Sequence, residues 1–218
     1  YLHDDLEAGD QFGSLLEALS DRGVRKETVT LFTADHGELL GEHGKGGHPP
    51  EFWEEIINIP FVLEGVGQEG EHNGQIRLLD VAPTLACAVD IHLVPEWQGK
   101  STLNLDEAEG REFAFGDVGR QVDYRRCYAR RRDGWKLLRH ADNGDPLEIH
   151  EHLFYVSETA EEGAANDRLG EELQQEEMLS NALDDHREEM AAMRSGTRAI
   201  GEESTMVEEH LKQLGYLE

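Results

Sequence analysis

The feature that most constrains the fold is a short apolar strand pattern that runs directly into a long polar loop. Residues 28–33 are β-branched or apolar almost throughout, which is typical of a strand buried on both faces. A Gly-rich polar loop follows over residues 34–50, then a short helical segment over 51–58 and a second apolar strand pattern over 59–63. Strand, loop, helix and strand in this order predict a parallel α/β sheet.

Helical patterns flank this unit on both sides. Apolar residues recur at helical spacing over residues 1–22, which predicts an amphipathic helix that Gly23 ends. Asp80 is expected to cap a second helix that runs to about Val89, with Pro83 tolerated in its first turn. These elements form the predicted α/β core, which we assign to residues 1–104.

The pattern changes after residue 104, and residues 105–218 are predicted to form a small antiparallel sheet with C-terminal helices. Segments 124–132 and 135–140 flank the dipeptide Asp133-Gly134, which is a strong hairpin signal. Residues 153–156 are expected to add a strand. Fold class is therefore α/β, with a sheet-containing core followed by a smaller α+β annex.

Two helices are predicted in the C-terminal region. Residues 167–193 form a charged helical pattern, and residues 206–214 a short final one that ends at Gly215. The apolar stripe of the longer helix is imperfect; it consists of Leu169, Leu173, Met178, Leu179 and Leu183.

The charge balance excludes two classes of partner. Lys and Arg total 20 against 47 Asp and Glu, a formal net charge of −27, which repels nucleic acid and anionic membranes. The carboxylates are dispersed along the chain, and lysines are few. Such a surface stays hydrated in concentrated salt, where screening shortens self-repulsion to roughly 3 Å at molar ionic strength. We therefore expect a halophilic source.

The cysteines and the apolar runs bear on location. Cys87 and Cys127 are the only cysteines, and neither lies in a metal-binding spacing. They imply no disulfide scaffold, so a cytoplasmic location is expected, although a longer N-terminus could carry a signal. No apolar run approaches the roughly 20 residues that span a membrane.

Candidate chemistry is concentrated in the loop after the first strand. Ligands of open α/β sheets bind beyond the carboxyl ends of strands, and Asp35 comes just after such an end. Gly37 permits a turn that lets Asp35 and His36 face one divalent cation as oxygen and nitrogen donors. An isolated Asp-His-Gly sequence, however, is more often simply a turn.

The second half of the loop adds two candidates. Lys45, set among glycines, can reach a bound oxyanion, and His48 can donate a proton to a leaving oxygen. A lone lysine in such a loop is more often solvated. His43 is expected at the surface or supporting a ligand from behind. The arginine-rich run 125–132 is expected to face acidic side chains rather than to bind an anion.

The order of these motifs resembles the sulfatase family of the alkaline phosphatase superfamily. The resemblance is strong to about Ser101 and looser beyond it. The segments that carry it are Tyr1 with residues 10–16, residues 28–33, Asp35-His36-Gly37-Glu38, residues 41–48, 52–55 and 59–63, Leu79-Asp80 with Pro83-Thr84, and residues 134–138, 153–156 and 211–217.

The resemblance implies a metal-dependent sulfuric ester hydrolase with an alkaline-phosphatase-like core. Asp35 and His36 match one half of the family's cation site, and Lys45 and His48 match residues that bind the sulfate group or assist the leaving group. Calcium is expected by family, while the imidazole of His36 leaves manganese or zinc open. A small-molecule sulfate ester is the expected substrate, and the sequence does not predict the oligomeric state.

One departure from the family pattern decides what these residues can do alone. The family's nucleophile, a Cys or Ser converted to formylglycine, lies in a Cys-or-Ser-x-Pro-x-Arg motif that is absent here, and neither Cys87 nor Cys127 matches it. We therefore expect a fragment, the C-terminal portion of such an enzyme, with the nucleophile and other ligands upstream. The alternatives are a phosphodiester or phosphonate ester hydrolase of the same superfamily, and a non-catalytic remnant or anion-binding module.

Overall fold

The computed structural model describes most of the chain as a mixed α/β fold. It covers residues 2–49, 51–67, 69–95, 97–104, 111–118, 126–141, 149–156 and 161–197, with backbone only for 2–7, 104, 141 and 194–197. The elements are α1 (Leu2–Asp21), β1 (Thr30–Thr33), β2 (Leu39–Leu40), β3 (Gly46–Gly47), α2 (Glu54–Ile57), β4 (Phe61–Glu64), α3 (Val81–Ala88), β5 (Phe113–Val118), β6 (Arg126–Arg131), β7 (Trp135–Ala141), β8 (Ile149–Tyr155) and α4 (Leu173–Thr197). The final helix predicted over 206–214 lies outside these residues.

The first helix confirms its prediction. α1 ends at Asp21, and Gly23 adopts a φ of +71°, a left-handed conformation that ends helices at low cost in glycine. The ring of Phe12 lies 5.2 Å from that of Phe32, centroid to centroid. This contact holds α1 against β1, the strand from which the candidate loop begins.

The expected parallel sheet is wrong for the two predicted core strands, β1 and β4. They pair antiparallel, with Thr30 opposite Glu64 and Thr33 opposite Phe61, and β1 is half-buried rather than buried on both faces. A parallel pair needs a crossover, usually a long helix, that carries the chain back to the start of the first strand. The described residues of 34–60 contain no long helix, only the one-turn α2, the short β2–β3 pair and a 3-10 turn at Glu42–Gly44, so the chain returns in the opposite direction.

The second sheet is antiparallel and has four strands. Its strand order is β5-β6-β7-β8, and β5 was not predicted. The hairpin at Asp133-Gly134 is present: Gly134 has a φ of +99°, and its amide donates to the Arg131 carbonyl oxygen at 3.0 Å. The core of this region joins the sheet to α4; it consists of Cys127, Ala129, Leu137, Leu153, Leu179 and Leu183.

The long helix begins later than predicted. α4 begins at Leu173 rather than at residue 167, because Asp167 is part of a loop in which its carboxylate accepts the Leu153 and Leu169 amides, both at 3.0 Å. The predicted apolar stripe is therefore only partly correct. Leu179 is buried, whereas Leu169 and Leu173 are exposed. No helix in the described part of the chain is both long and apolar enough to cross a bilayer.

Asp80 precedes α3 as predicted but does not cap it. Its side chain makes no capping bond to α3 and is instead fully buried. The carboxylate accepts the Arg77 amide at 3.0 Å, the Lys100 amide at 2.9 Å and Arg111 Nη2 at 2.7 Å. Asp80 thus joins three separate segments of the chain.

Candidate functional site

The loop after β1 folds back on itself through a two-residue strand pair. β2 and β3 pair antiparallel, with Leu39 opposite Gly47, and Leu39 is buried. Its apolar side chain fixes the hairpin against the protein. The pairing returns residues 45–48 to the neighbourhood of residues 35–38, which lie ten positions earlier in the sequence.

Asp35 and His36 present two donors to one side of the loop. The Oδ2 atom of Asp35 lies 3.8 Å from Nε2 of His36. The other ring nitrogen, Nδ1, lies 2.9 Å from the carbonyl oxygen of Gly37. A carbonyl only accepts hydrogen bonds, so Nδ1 is the donor in this contact. In the neutral form of such a ring the lone pair is on Nε2, which is the usual arrangement of a metal-binding imidazole.

This pair fits half of a cation site. An oxygen and a nitrogen donor suit manganese or zinc well and calcium less well. Asp35 is exposed, with 88% of its side chain accessible. Its Oδ1 atom accepts the His36 amide at 3.0 Å, which leaves Oδ2 to face an ion. Among the described residues there is no group of three or more His, Cys, Asp or Glu side chains able to hold a metal. Further ligands are therefore needed for a complete site.

Gly37 is required by close packing rather than by an unusual backbone conformation. Its amide donates to the Ile56 carbonyl oxygen at 2.8 Å. A Cβ atom at this position would lie 2.0 Å from the carbonyl oxygen of Glu55. The turn that presents His36 is thus pressed directly against α2.

His48 joins the Asp35–His36 pair. Its ring centroid lies 4.6 Å from that of His36, and its Nδ1 atom lies 3.4 Å from Oε1 of Glu38. Most of the His48 side chain is exposed. The structure therefore brings three of the four predicted site residues together, with an imidazole beside the two donors.

Lys45 faces elsewhere. Its Nζ atom donates to Oε1 of Glu51 at 2.6 Å, and Arg126 forms an ion pair with the same carboxylate. Lys45 lines a cavity of about 220 Å³ beside β6–β8, whereas Asp35, His36 and His48 line a separate cavity of about 430 Å³. The expectation that the arginine run faces acidic side chains is confirmed for Arg126, Arg130 and Arg131, which pair with Glu51, Glu54 and Asp133 respectively.

His43 lies largely buried against residues 53–55 rather than at the surface. Its ring stacks on Trp53 at 4.2 Å with an interplanar angle of 14°, and its Nε2 atom lies 3.3 Å from Oε2 of Glu55. Only 14% of its side chain is exposed. His43 instead fixes the loop to residues 53–55. No spacing in the sequence indicates that these residues support the loop.

The cavity beside Asp35 and His36 has an apolar wall. Phe115, Tyr128 and the isoleucines of 56–59 line it, together with His186 of α4. The His186 ring stacks on Phe115 at 4.2 Å, and burial lowers the pKa of His186. A cavity with a polar end and an apolar wall suits a small molecule that has both kinds of surface. The charged pattern of residues 167–193 did not identify His186.

The family follows from the segment that contains this loop. A family model described as Sulfatase matches residues 1–91. Residues 1–91 are therefore similar to the sulfatase family. Asp35, His36, Lys45 and His48 all lie within this sulfatase segment, and the β5–β8 sheet lies beyond it.

Individual relatives agree with this assignment. The low-salt glycan biosynthesis sulfotransferase Agl7 of Haloferax volcanii is 35% identical over 95 residues, which cover 41% of this chain and 24% of that protein. Arylsulfatase K of Gallus gallus is 26% identical over 168 residues, covering 72% of this chain and 31% of that protein. The chain thus matches about a quarter to a third of the length of these curated relatives.

A solved structure extends the similarity past residue 91. The structure of BT4656 in complex with its substrate D-glucosamine-2-N,6-O-disulfate superposes with a TM-score of 0.63 at 20% identity. The superposition covers 82% of this chain and 38% of that one. The fold shared with this neighbour therefore extends beyond residues 1–91.

Proposed function

We propose that this chain contributes the Asp35–His36 half of a sulfatase cation site, and that the whole enzyme hydrolyses sulfuric esters. The observation that carries the proposal is the paired geometry of Asp35 Oδ2 and His36 Nε2, 3.8 Å apart, in a segment of the sulfatase family. The bond from His36 Nδ1 to the Gly37 carbonyl orients the ring so that its second nitrogen is available.

Asp35 and His36 would hold one divalent cation, which is calcium by family and manganese or zinc by the imidazole donor. When bound, the cation supplies positive charge that stabilises an anionic ester and its more charged transition state. The other ligands would come from residues outside this set. Metal dependence of the whole enzyme follows from this proposal.

His48 and Lys45 take separate roles in the proposal. His48 lies beside His36 and is placed to donate a proton to the leaving oxygen. Lys45 is held by Glu51, and an anionic substrate would have to compete with that carboxylate for the ammonium. Once released, Lys45 would bind the non-bridging sulfate oxygens by charge-assisted hydrogen bonds.

The nucleophile has no counterpart among the 218 residues. None of the six prolines has a Cys or Ser two positions before it and an Arg two positions after it. We therefore propose that these residues are part of a longer enzyme and give no turnover alone. Metal-dependent hydrolysis of 4-nitrophenyl sulfate by the purified chain, above a blank without protein, would contradict this.

The names of the relatives favour sulfate chemistry but fit two different acceptors of the sulfuryl group. Water is the acceptor in a sulfatase, and a glycan hydroxyl is implied by the name of the Haloferax volcanii sulfotransferase. Sulfuryl transfer to an acceptor is therefore the second candidate. The phosphodiester and phosphonate alternative is not favoured by either reported relative.

Sequencing the DNA upstream of the Tyr1 codon tests the proposal. We expect an in-frame stretch that encodes paired Asp ligands and a Cys-or-Ser-x-Pro-x-Arg motif. The longer protein should then hydrolyse 4-nitrophenyl sulfate. Asp35→Asn should reduce its kcat/KM by at least 100-fold, since losing a ligand weakens the binding of the cation. A working longer protein that is indifferent to Asp35→Asn would overturn the assignment.

A further inference from the structure

We propose that Lys136, a buried lysine of β7, positions the candidate loop by anchoring residues 51–56, which we call the support segment. Its effect on cation binding rests on the proposed function, whereas its effect on the shape of the loop does not. Contacts connect the loop to the support segment, and the support segment to the C-terminal sheet.

The first contact is backbone against backbone. The amide of Gly37 donates to the carbonyl oxygen of Ile56 at 2.8 Å, directly beside His36. The space for a Cβ at Gly37 is filled by the Glu55 carbonyl, 2.0 Å away. The position of the His36 ring is therefore set by where the support segment lies.

Two side-chain contacts repeat this dependence further along the loop. His43 stacks on Trp53 at 4.2 Å and lies 3.3 Å from Oε2 of Glu55. Lys45 donates to Glu51 at 2.6 Å. The support segment thus contacts the loop at its start, its middle and its end.

Lys136 fixes the support segment from the opposite side. Its side chain is fully buried, and its Nζ atom lies 2.9 Å from the Phe52 carbonyl oxygen, 2.9 Å from Oε1 of Glu54 and 2.5 Å from Oε1 of Glu162. The first two contacts are hydrogen bonds and the third is an ion pair, so the ammonium faces three oxygen atoms. Glu162 in turn accepts the Glu54 amide at 2.6 Å, at the first turn of α2.

The charges of this cluster balance only when all members are present. Arg130 Nε lies 3.2 Å from Oε1 of Glu54, so two cations face two carboxylates. Burial raises the pKa of Glu162, and the neighbouring Lys136 opposes that shift. Removing the ammonium alone would leave a buried carboxylate without its partner, which is costly. The cluster therefore holds residues 52–54 at a defined position on the sheet.

The test removes the anchor without leaving an unpaired charge. The variant is Lys136→Met combined with Glu162→Gln. The matched control is Arg139→Met, because Arg139 lies on the same strand and pairs with Glu151 and Asp184. Arg139 ties the sheet to α4, because its guanidinium donates to Glu151, Asp184 and Ser180.

The readouts are local to the loop. In the double variant we expect the Gly37 amide to exchange at least tenfold faster, relative to β7 amides, and the His43 ring signals to shift as the Trp53 stacking is lost. Arg139→Met should change neither. Equal effects of the two changes, or an unaltered Gly37 exchange rate in a folded double variant, would overturn the proposal.

The wild-type chain provides a second test if the double variant does not fold. Under native-state exchange in increasing urea, the Gly37 and Glu54 amides should show one opening free energy and one urea dependence, because both depend on the anchored segment. Opening of Gly37 well below Glu54 would overturn the anchoring. Failure of Asp35→Asn to lower the kcat/KM of the longer protein would contradict the proposed function and leave this result intact.

Discussion

The Oδ2 atom of Asp35 lies 3.8 Å from Nε2 of His36, and the two residues are neighbours in the sequence. Adjacent side chains in a strand point to opposite faces, so this approach depends on the turn after β1. The turn is held by the bond between Gly37 and Ile56. A two-donor arrangement thus arises from local backbone geometry and one contact from a distant segment.

The packing at Gly37 predicts that this position does not tolerate a side chain. Gly37→Ala should lower the free energy of unfolding by about 1–3 kcal/mol, because its Cβ would overlap the Glu55 carbonyl. Gly13→Ala on α1 is the control, since nothing lies within 4 Å of its Cβ. That change should stabilise the chain by about 0.5–1 kcal/mol through helix propensity. Urea unfolding of both variants measures this, and a Gly37→Ala chain as stable as wild type would contradict the packing.

Asp80 predicts a specific acid sensitivity. Burial acts to raise the pKa of Asp80, but hydrogen bonds from Arg111 and from the Lys100 and Arg77 amides outweigh it, so the net pKa is lowered from 3.8. The stability that Asp80 contributes is therefore present above about pH 4 and lost as pH falls below it. Asp80→Asn should cost about 3 kcal/mol at pH 7, with the difference from wild type shrinking in acid.

The control for Asp80 is another aspartate that pairs with arginine. Asp133 contacts Arg131, but 46% of its side chain is exposed. Asp133→Asn should cost about 1 kcal/mol or less. Urea unfolding at pH 7 and near pH 3 checks both variants. Similar costs at Asp80 and Asp133, or a cost at Asp80 that does not change with pH, would contradict the account.

His186 predicts a second pH dependence, near neutrality. Because burial lowers its folded pKa below 6.5, the unfolded chain takes up a proton first as pH falls. The stability contributed by neutral His186 is thus complete above about pH 6.5 and declines below it. His186→Phe, which keeps a ring to stack on Phe115, should show a shallower loss of stability between pH 7 and 5. Identical slopes for wild type and variant would exclude this effect.

The net charge of −27 predicts salt-dependent stability. Dispersed like charges repel one another in the folded state, and salt screens that repulsion. The urea midpoint should therefore rise between 0.1 M and 2 M KCl, as expected for a halophilic source. Equal stability at the two concentrations would count against that source.

Local sequence signals identified those elements whose cause is local. The helix end at Gly23 and the hairpin at Asp133-Gly134 follow from backbone preferences of a few residues, and both are present. The antiparallel pairing of β1 with β4 depends on contacts between segments about 30 residues apart. No residue in either strand indicates whether the two strands pair parallel or antiparallel.

The candidate site also has one part that local sequence predicts and another that it does not. Asp35, His36 and His48 were predictable because they lie in one short loop with a polar, Gly-rich pattern. The support from Lys136 and Glu162 was not predictable, because both residues lie more than 80 positions beyond Glu54 in the sequence. A buried lysine in a strand looks the same in sequence as a solvated one. Only the fold shows that its ammonium has three acceptors.

The most direct test of the central claim is Mn²⁺ titration of the chain in about 1 M KCl, followed by NMR of the histidine rings. Salt at this concentration reduces diffuse attraction of the cation to the acidic surface, since the screening length falls to roughly 3 Å. Asp21→Asn serves as the control for Asp35→Asn, because it removes the same charge from an exposed position on α1. We predict selective broadening of the His36 and His48 ring signals that persists in Asp21→Asn and disappears in Asp35→Asn. Broadening spread evenly over the histidines, or unchanged by Asp35→Asn, would contradict a cation site at Asp35 and His36.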